Sequence, residues 1–114
     1  MAKFKYSMQN ILEIKMKLET QAKNEFSIAN RKYQTEKDRL DELVLKRVGY
    51  ETRLKESLCG ELNISNINNL KKDINSIKSA IRTQLSNVKK AEDELEIKRY
   101  ALNELMKERK THEK

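Results

Sequence analysis

The sequence contains no proline and no tryptophan, and it has only two glycines, one cysteine and one histidine among its 114 residues. Because proline is absent, no residue forces a helix to kink or to stop. Aromatic residues make up 5% of the chain, which leaves little bulk for a broad interior. The composition therefore argues against a compact globular core and favours long helices that bury a narrow seam.

The apolar residues are scattered, and no window approaches 18 consecutive apolar residues, so no membrane-spanning helix is predicted. Residues 1–5 lack the apolar stretch of a secretory signal. The lone Cys59 excludes an intrachain disulfide and indicates a reducing compartment. We therefore expect a cytoplasmic protein that does not insert directly into a membrane.

Residues that could carry chemistry are few. The single histidine, His112, cannot form a metal cluster with Cys59, which lies some fifty residues away. The sequence has no glycine-rich phosphate loop, no HExxH and no GxSxG. Acidic pairs such as Glu92/Asp93 are predicted on a helix surface, where no cleft prepares them for acid–base catalysis. We expect neither enzymatic activity nor a cofactor or metal.

Charge is abundant: 38% of the residues are charged, and the net charge is +7. The two signs are interspersed without a run of six like charges, which is typical of a solvated surface with many ion pairs. The basic pairs Lys71/Lys72 and Lys89/Lys90 are candidates for contacts with RNA phosphates. The acidic residues around them dilute that field, so a nucleic-acid partner is not expected, and a basic RNA-binding hairpin is kept only as an alternative.

The second half of the chain has the clearest periodicity. Fourteen positions alternate in spacings of three and four, and ten of them are apolar, as in the seam of a coiled coil. They are Ile67, Leu70, Ile74, Ile77, Ile81, Gln84, Val88, Ala91, Leu95, Lys98, Leu102, Leu105, Arg109 and His112.

The first half repeats less strictly, and its apolar stripe is interrupted by Lys15, Glu36 and Arg47. The predicted stripe consists of Phe4, Met8, Ile11, Leu18, Ala22, Phe26, Ala29, Tyr33, Leu40, Leu43, Tyr50, Leu54 and Leu58. A pattern this long without caps indicates a coiled coil. Tyr33 and Tyr50 either pack against the other helix or serve as partner contacts, since tyrosine combines area with a polar tip.

The two periodic segments flank a single break at residues 59–66. Gly60 is suited to a left-handed helix end, and Asn63, Ser65 or Asn66 could cap the next helix. A connection this short favours antiparallel neighbours. The predicted fold is all-α: one domain over residues 1–114, a long two-helix antiparallel coiled-coil hairpin with arm one at about 5–59, a turn at about 60–65 and arm two at about 66–114.

The order of these features resembles the FliJ family of bacterial flagellar export proteins. The resemblance rests on the opening run Phe4-Lys5-Tyr6-Ser7-Met8-Gln9-Asn10-Ile11-Leu12, on Leu18-Glu19-Thr20-Gln21-Ala22, and on Tyr50 followed by a glycine-containing turn and the Ile74/Ile77/Ile81 helix. It covers essentially the whole chain. It implies a stalk-like coiled coil that takes part in type III flagellar protein export at the inner face of the cell membrane.

The resemblance also implies protein partners. One end of the stalk would bind and stimulate the hexameric export ATPase, FliI, through regions near Phe4 to Leu18 and Leu95 to Lys114. The stalk would contact the export gate, FlhA, and would escort export chaperones. The gate-contacting surface would fall on Leu43, Tyr50, Ile77 and Ala80, whereas Lys46 and Asp73 stand where some members carry aromatic residues. The equivalent stalk of a virulence secretion system is the alternative within the same class.

Overall fold

The chain consists of two helices, α1 (Ala2–Cys59) and α2 (Ile64–Glu113), in a computed structural model that describes the backbone of residues 2–60 and 63–113. Side chains are described for residues 8–60 and 63–111. No strand occurs in these described ranges. The predicted fold class, an all-α two-helix antiparallel hairpin, is confirmed. Phe4 and His112 of the predicted seams lie outside the described side chains.

The chain divides into two compact units that each contain a stretch of both helices. The terminal unit comprises residues 1–33 and 91–114, and the tip unit comprises residues 34–90. The most buried apolar residues of the terminal unit are Ala22, Ala29, Ala91 and Leu95. The small alanine side chains permit close approach of the two helices, so little apolar bulk is needed there. The tip unit instead buries the larger Ile74, Ile77 and Ile81.

The predicted seam of α2 is confirmed. All thirteen of its positions with described side chains are buried or half-buried, including the polar Gln84, Lys98 and Arg109. Burial of an isoleucine side chain contributes roughly 1.5–3 kcal/mol, which a solitary helix of this composition lacks. The helix therefore depends on α1 for its stability.

The predicted stripe of α1 is wrong at four positions. Met8, Ile11, Leu18 and Leu58 are exposed in the structure. The inner face is a regular repeat of three and four that takes in the residues thought to interrupt it, together with Glu19 and Ser57. Its members are Lys15, Glu19, Ala22, Phe26, Ala29, Tyr33, Glu36, Leu40, Leu43, Arg47, Tyr50, Leu54 and Ser57.

Two charged inner residues of α1, Glu19 and Glu36, have polar partners on α2. In the tip unit, the Gln84 amide donates to the Glu36 backbone oxygen at 2.8 Å and also to the Glu36 carboxylate. In the terminal unit, Arg109 Nε lies 2.7 Å from Glu19 Oε2, and Lys98 Nζ lies 3.4 Å from Glu25 Oε2. Each unit therefore holds its two helices together through polar as well as apolar contacts.

The connection between the helices shows which capping residue is used. The Asn63 side chain accepts a hydrogen bond from the Asn66 backbone N–H at 3.2 Å, and its carbonyl accepts the first helical bond from Ile67 at 3.0 Å. Asn63 is therefore the N-cap of α2, in preference to Ser65 or Asn66. The expectation of a left-handed Gly60 is wrong, since neither glycine of the chain has a positive φ.

Candidate partner-binding surfaces

Two adjoining depressions lie on one side of the tip unit, here called the pocket face. The larger has a volume of about 580 Å³, and the smaller about 200 Å³. Arg53 lines both. The other residues of the larger are Glu56, Ser57, Gly60, Asn66, Asn69, Leu70 and Asp73, and those of the smaller are Lys46, Gly49 and Tyr50.

The pocket face owes its shape to helical spacing and to missing bulk. Lys46, Tyr50 and Arg53 recur at spacings of four and three, so they share one side of α1. A Cβ at Gly49 would meet no atom within 4 Å, which shows that the space beside Tyr50 is open. Lys46 and Asp73, where some FliJ-type chains were expected to be aromatic, each line one depression. The flexible Lys46 and the short Asp73 leave space in these depressions that an aromatic ring at either position would fill.

The four predicted gate-contacting residues all lie in the tip unit, but they differ in accessibility. Tyr50 is half-buried and lines the smaller depression. Ala80 is half-buried and lies seven residues beyond Asp73, so it shares the pocket face. Leu43 is half-buried in the inner repeat of α1, whereas Ile77 is 8% exposed and belongs to the core. Tyr50 and Ala80 are the two that a partner can reach from the pocket face.

The chemistry of the pocket face suits contacts with a protein. It offers the cations of Lys46 and Arg53, the carboxylate of Asp73, and amides, around the aromatic ring of Tyr50. Tyrosine and arginine are enriched among residues that dominate interface energies. In the described part of the chain, no three His, Cys, Asp or Glu side chains come together in a way that could hold a metal ion. Cys59 is exposed and free.

A second surface lies on the terminal unit and was missed by the sequence interpretation, which placed two of its residues in the seam. Ile11, Ile14 and Leu18 are 43%, 55% and 44% exposed. Their spacing of three and four aligns them along one side of α1, and we call them the terminal apolar strip. Glu19, rather than Leu18, occupies the inner repeat. The regular spacing from Ala22 and Ala29 is the signal that would have placed the strip outside.

No helix in the described ranges carries an apolar stretch long enough to cross a lipid bilayer.

A sequence model of the family described as "Flagellar FliJ protein" matches residues 4–114. Searches of curated proteins and of solved structures give no match. The matched range includes all of α2 and all but the first two residues of α1, and the hairpin is the fold that the family resemblance implied. The chain therefore belongs to the flagellar FliJ protein family.

Proposed function

We propose that this chain is a non-enzymatic stalk that binds and stimulates the flagellar export ATPase and contacts the export gate. Membership of the FliJ family makes the chain a component of flagellar type III protein export. That membership is the observation that carries the proposal. ATP hydrolysis would belong to the partner, because no residue arrangement in this chain provides a phosphate-binding loop.

The terminal unit is the part that we assign to the ATPase. The terminal apolar strip exposes three large aliphatic side chains on one side of α1, and contiguous apolar surface of this kind marks protein contacts. The strip lies within the region, Phe4 to Leu18, that the family resemblance assigned to the ATPase end. The second region of that assignment, Leu95 to Lys114, belongs to the same unit.

We expect the triple variant Ile11→Ser, Ile14→Ser, Leu18→Ser to weaken binding to the FliI-like ATPase about tenfold, because three aliphatic contacts are lost. Half-maximal stimulation of ATP hydrolysis by the purified hexamer would shift to about tenfold higher stalk concentration. A control with Ile28→Ser, Leu58→Ser and Leu85→Ser removes similarly exposed side chains that lie outside both regions assigned to the ATPase. If both triple variants weakened ATPase binding equally, the strip would be excluded as the ATPase contact. Absence of stimulation by the unaltered chain would contradict the ATPase role.

The pocket face is the part of the tip unit that we assign to the FlhA-like export gate. Tyr50 and Ala80 are the predicted residues that lie on this face, while Leu43, which is half-buried like them, and the buried Ile77 would support them. A partner side chain that entered the smaller depression would contact the Tyr50 ring and the uncovered backbone of Gly49. Buried aromatic contacts of this type carry much of the energy of an interface.

We expect Tyr50→Ala to reduce capture of the cytoplasmic domain of the gate by about tenfold in a quantitative pull-down, because the variant removes the aromatic wall of the smaller depression. Tyr100→Ala is the matched control, since Tyr100 is 68% exposed and lies in the terminal unit. Unchanged capture by Tyr50→Ala, or an equal loss with Tyr100→Ala, would remove the pocket face from the gate contact.

Two further parts of the proposed role concern location and cargo. A stalk that joins the ATPase to the gate would be held peripherally at the inner face of the cell membrane, at the flagellar base, without inserting into the bilayer. Escort of export chaperones would use surface that the ATPase and the gate leave free. The net charge of +7 favours partners whose contact surfaces are acidic.

A further inference from the structure

The charges of α2 are strongly segregated within the tip unit. Residues 63–90 contain six basic residues and a single acidic residue, Asp73. Asp73 lies on the pocket face, where it lines the larger depression. Interspersed charge, which describes the chain as a whole, therefore does not describe this stretch of helix.

Three of the six cations form a line along α2. At about 100° per residue, Lys71, Lys78 and Arg82 fall within an arc of roughly 40° around the helix, over a length of about 16 Å. All three are exposed, and none has an ion-pair partner within the described ranges. Arg39 and Arg47 of the same unit do have partners, Glu36 and Glu51. Among the described side chains, no carboxylate neutralises this line of positive charge.

Exposed apolar side chains lie on α1 beside this line. Val44 and Val48 are 42% and 53% exposed, one turn apart, and Leu45 adjoins them. Beta-branched residues are not favoured helix formers, so propensity does not explain two valines on a solvated helix surface.

The valines and the cation line share one side of the hairpin. Counting one heptad from the Glu36–Gln84 contact in each helix gives Leu43 and Ile77, which are about level because the helices are antiparallel. Val44 and Lys78 each directly follow one of them. A local two-fold axis relates two antiparallel helices. Residues that directly follow a seam residue therefore lie on the same side of the hairpin in both helices. Val44 and Lys78 therefore flank the same edge, opposite the pocket face.

We propose that this edge, the cationic face of Lys71, Lys78, Arg82, Val44 and Val48, is a docking surface for an acidic amphipathic helix of a partner protein. Apolar residues of that helix would pack on the valines, and carboxylates along its edge would pair with the cation line. A span of about 16 Å corresponds to three helical turns. The helix would lie in the groove between α1 and α2, a common mode of helix recognition. The proposal does not depend on the contacts assigned above to the ATPase and the gate.

The acidic residues of α1 favour a protein helix over a polyanion. Asp38, Asp41 and Glu42 lie within two turns of Val44, and all are exposed. They would repel the phosphates of RNA or of an anionic bilayer, which present negative charge on every side. A protein helix can instead place its carboxylates over α2 and neutral or basic side chains over these three residues. This choice of charges at each edge is what gives such contacts their specificity.

The test uses the full chain and a fluorescent three-heptad peptide, with leucines in one stripe and glutamates along one edge. Fluorescence anisotropy should show that the peptide binds, and that Lys71→Glu, Lys78→Glu, Arg82→Glu weakens binding at least tenfold. Val44→Ser with Val48→Ser should weaken binding about fivefold. The control Lys17→Glu, Lys72→Glu, Lys90→Glu makes the same change in net charge at exposed positions off the line, and should change binding less than twofold.

Several outcomes would overturn the proposal. They are absence of peptide binding, equal weakening by the control triple, and tighter binding of a 20-nucleotide RNA or of vesicles with 30% phosphatidylglycerol. Self-association of the unaltered chain in sedimentation velocity, abolished by the cation-line variant, would identify a second copy as the occupant instead. Circular dichroism of every variant shows whether the helices persist, so a loss of binding can be separated from unfolding.

Discussion

The variant Ile77→Asp with Ile81→Asp should lose most of the helicity of the tip unit at 25 °C. Both isoleucines are more than nine-tenths buried, and they lie four residues apart in the α2 seam. Truncating one buried isoleucine costs roughly 2–5 kcal/mol, and each aspartate adds the cost of placing a carboxylate against apolar neighbours. The pair should therefore lose more than about 5 kcal/mol, which is comparable to the whole stability of a small domain.

Circular dichroism at 222 nm and hydrogen exchange of residues 34–90 would measure this loss. The matched control is Ser76→Asp with Ser79→Asp, because both serines are exposed on the same stretch of α2. We expect the control to keep its helicity and its protection from exchange. If the isoleucine variant stayed as helical as the control, the seam would not be what stabilises the helices.

The α2 seam could be predicted from the sequence because its inner positions are mostly aliphatic and its outer positions mostly polar. Periodicity alone then identifies the buried face. Polar members such as Gln84 and Lys98 were placed correctly, because the flanking aliphatic residues fixed the register on both sides of them.

The α1 face could not be predicted as well, because hydrophobicity and burial disagree there. Leu18 is exposed while its neighbour Glu19 is 5% exposed, so choosing the more apolar residue selects the wrong one. Glu19 is tolerated because Arg109 and Lys23 lie beside its carboxylate. That compensation comes from a residue ninety positions away, and it becomes visible only when the antiparallel register is known.

The candidate surfaces were predicted in part. The family resemblance supplied Tyr50 and Ala80, but the depressions around them depend on how the two helices meet. The cationic face depends on the same register, since sequence spacing aligns Lys71, Lys78 and Arg82 but does not bring Val44 to their edge. Side-by-side placement of residues from two helices is therefore the information that the structure adds.

Two changes to the polar contact between Glu36 and Gln84 should shift the free energy of unfolding in opposite directions. Glu36 is 9% exposed, and it accepts from Gln84 as well as from Arg39 at 3.1 Å. Gln84→Ala should destabilise the protein by about 2–3 kcal/mol, because a buried carboxylate loses a hydrogen-bond donor and a cavity forms. Glu36→Leu with Gln84→Leu should instead stabilise it by about 1–3 kcal/mol, since well-packed apolar pairs often surpass buried polar ones.

Urea denaturation followed at 222 nm would give both free energies of unfolding. We also expect the helices of the double leucine variant to pair in more than one way. A polar residue in a coiled-coil seam selects register and oligomeric state at a cost in stability. Sedimentation velocity should therefore show larger oligomers of that variant, and none for Gln84→Ala below its unfolding transition. A double variant that was both destabilised and unchanged in mass would mean that the Glu36–Gln84 contact contributes net stability and does not determine the pairing of the helices.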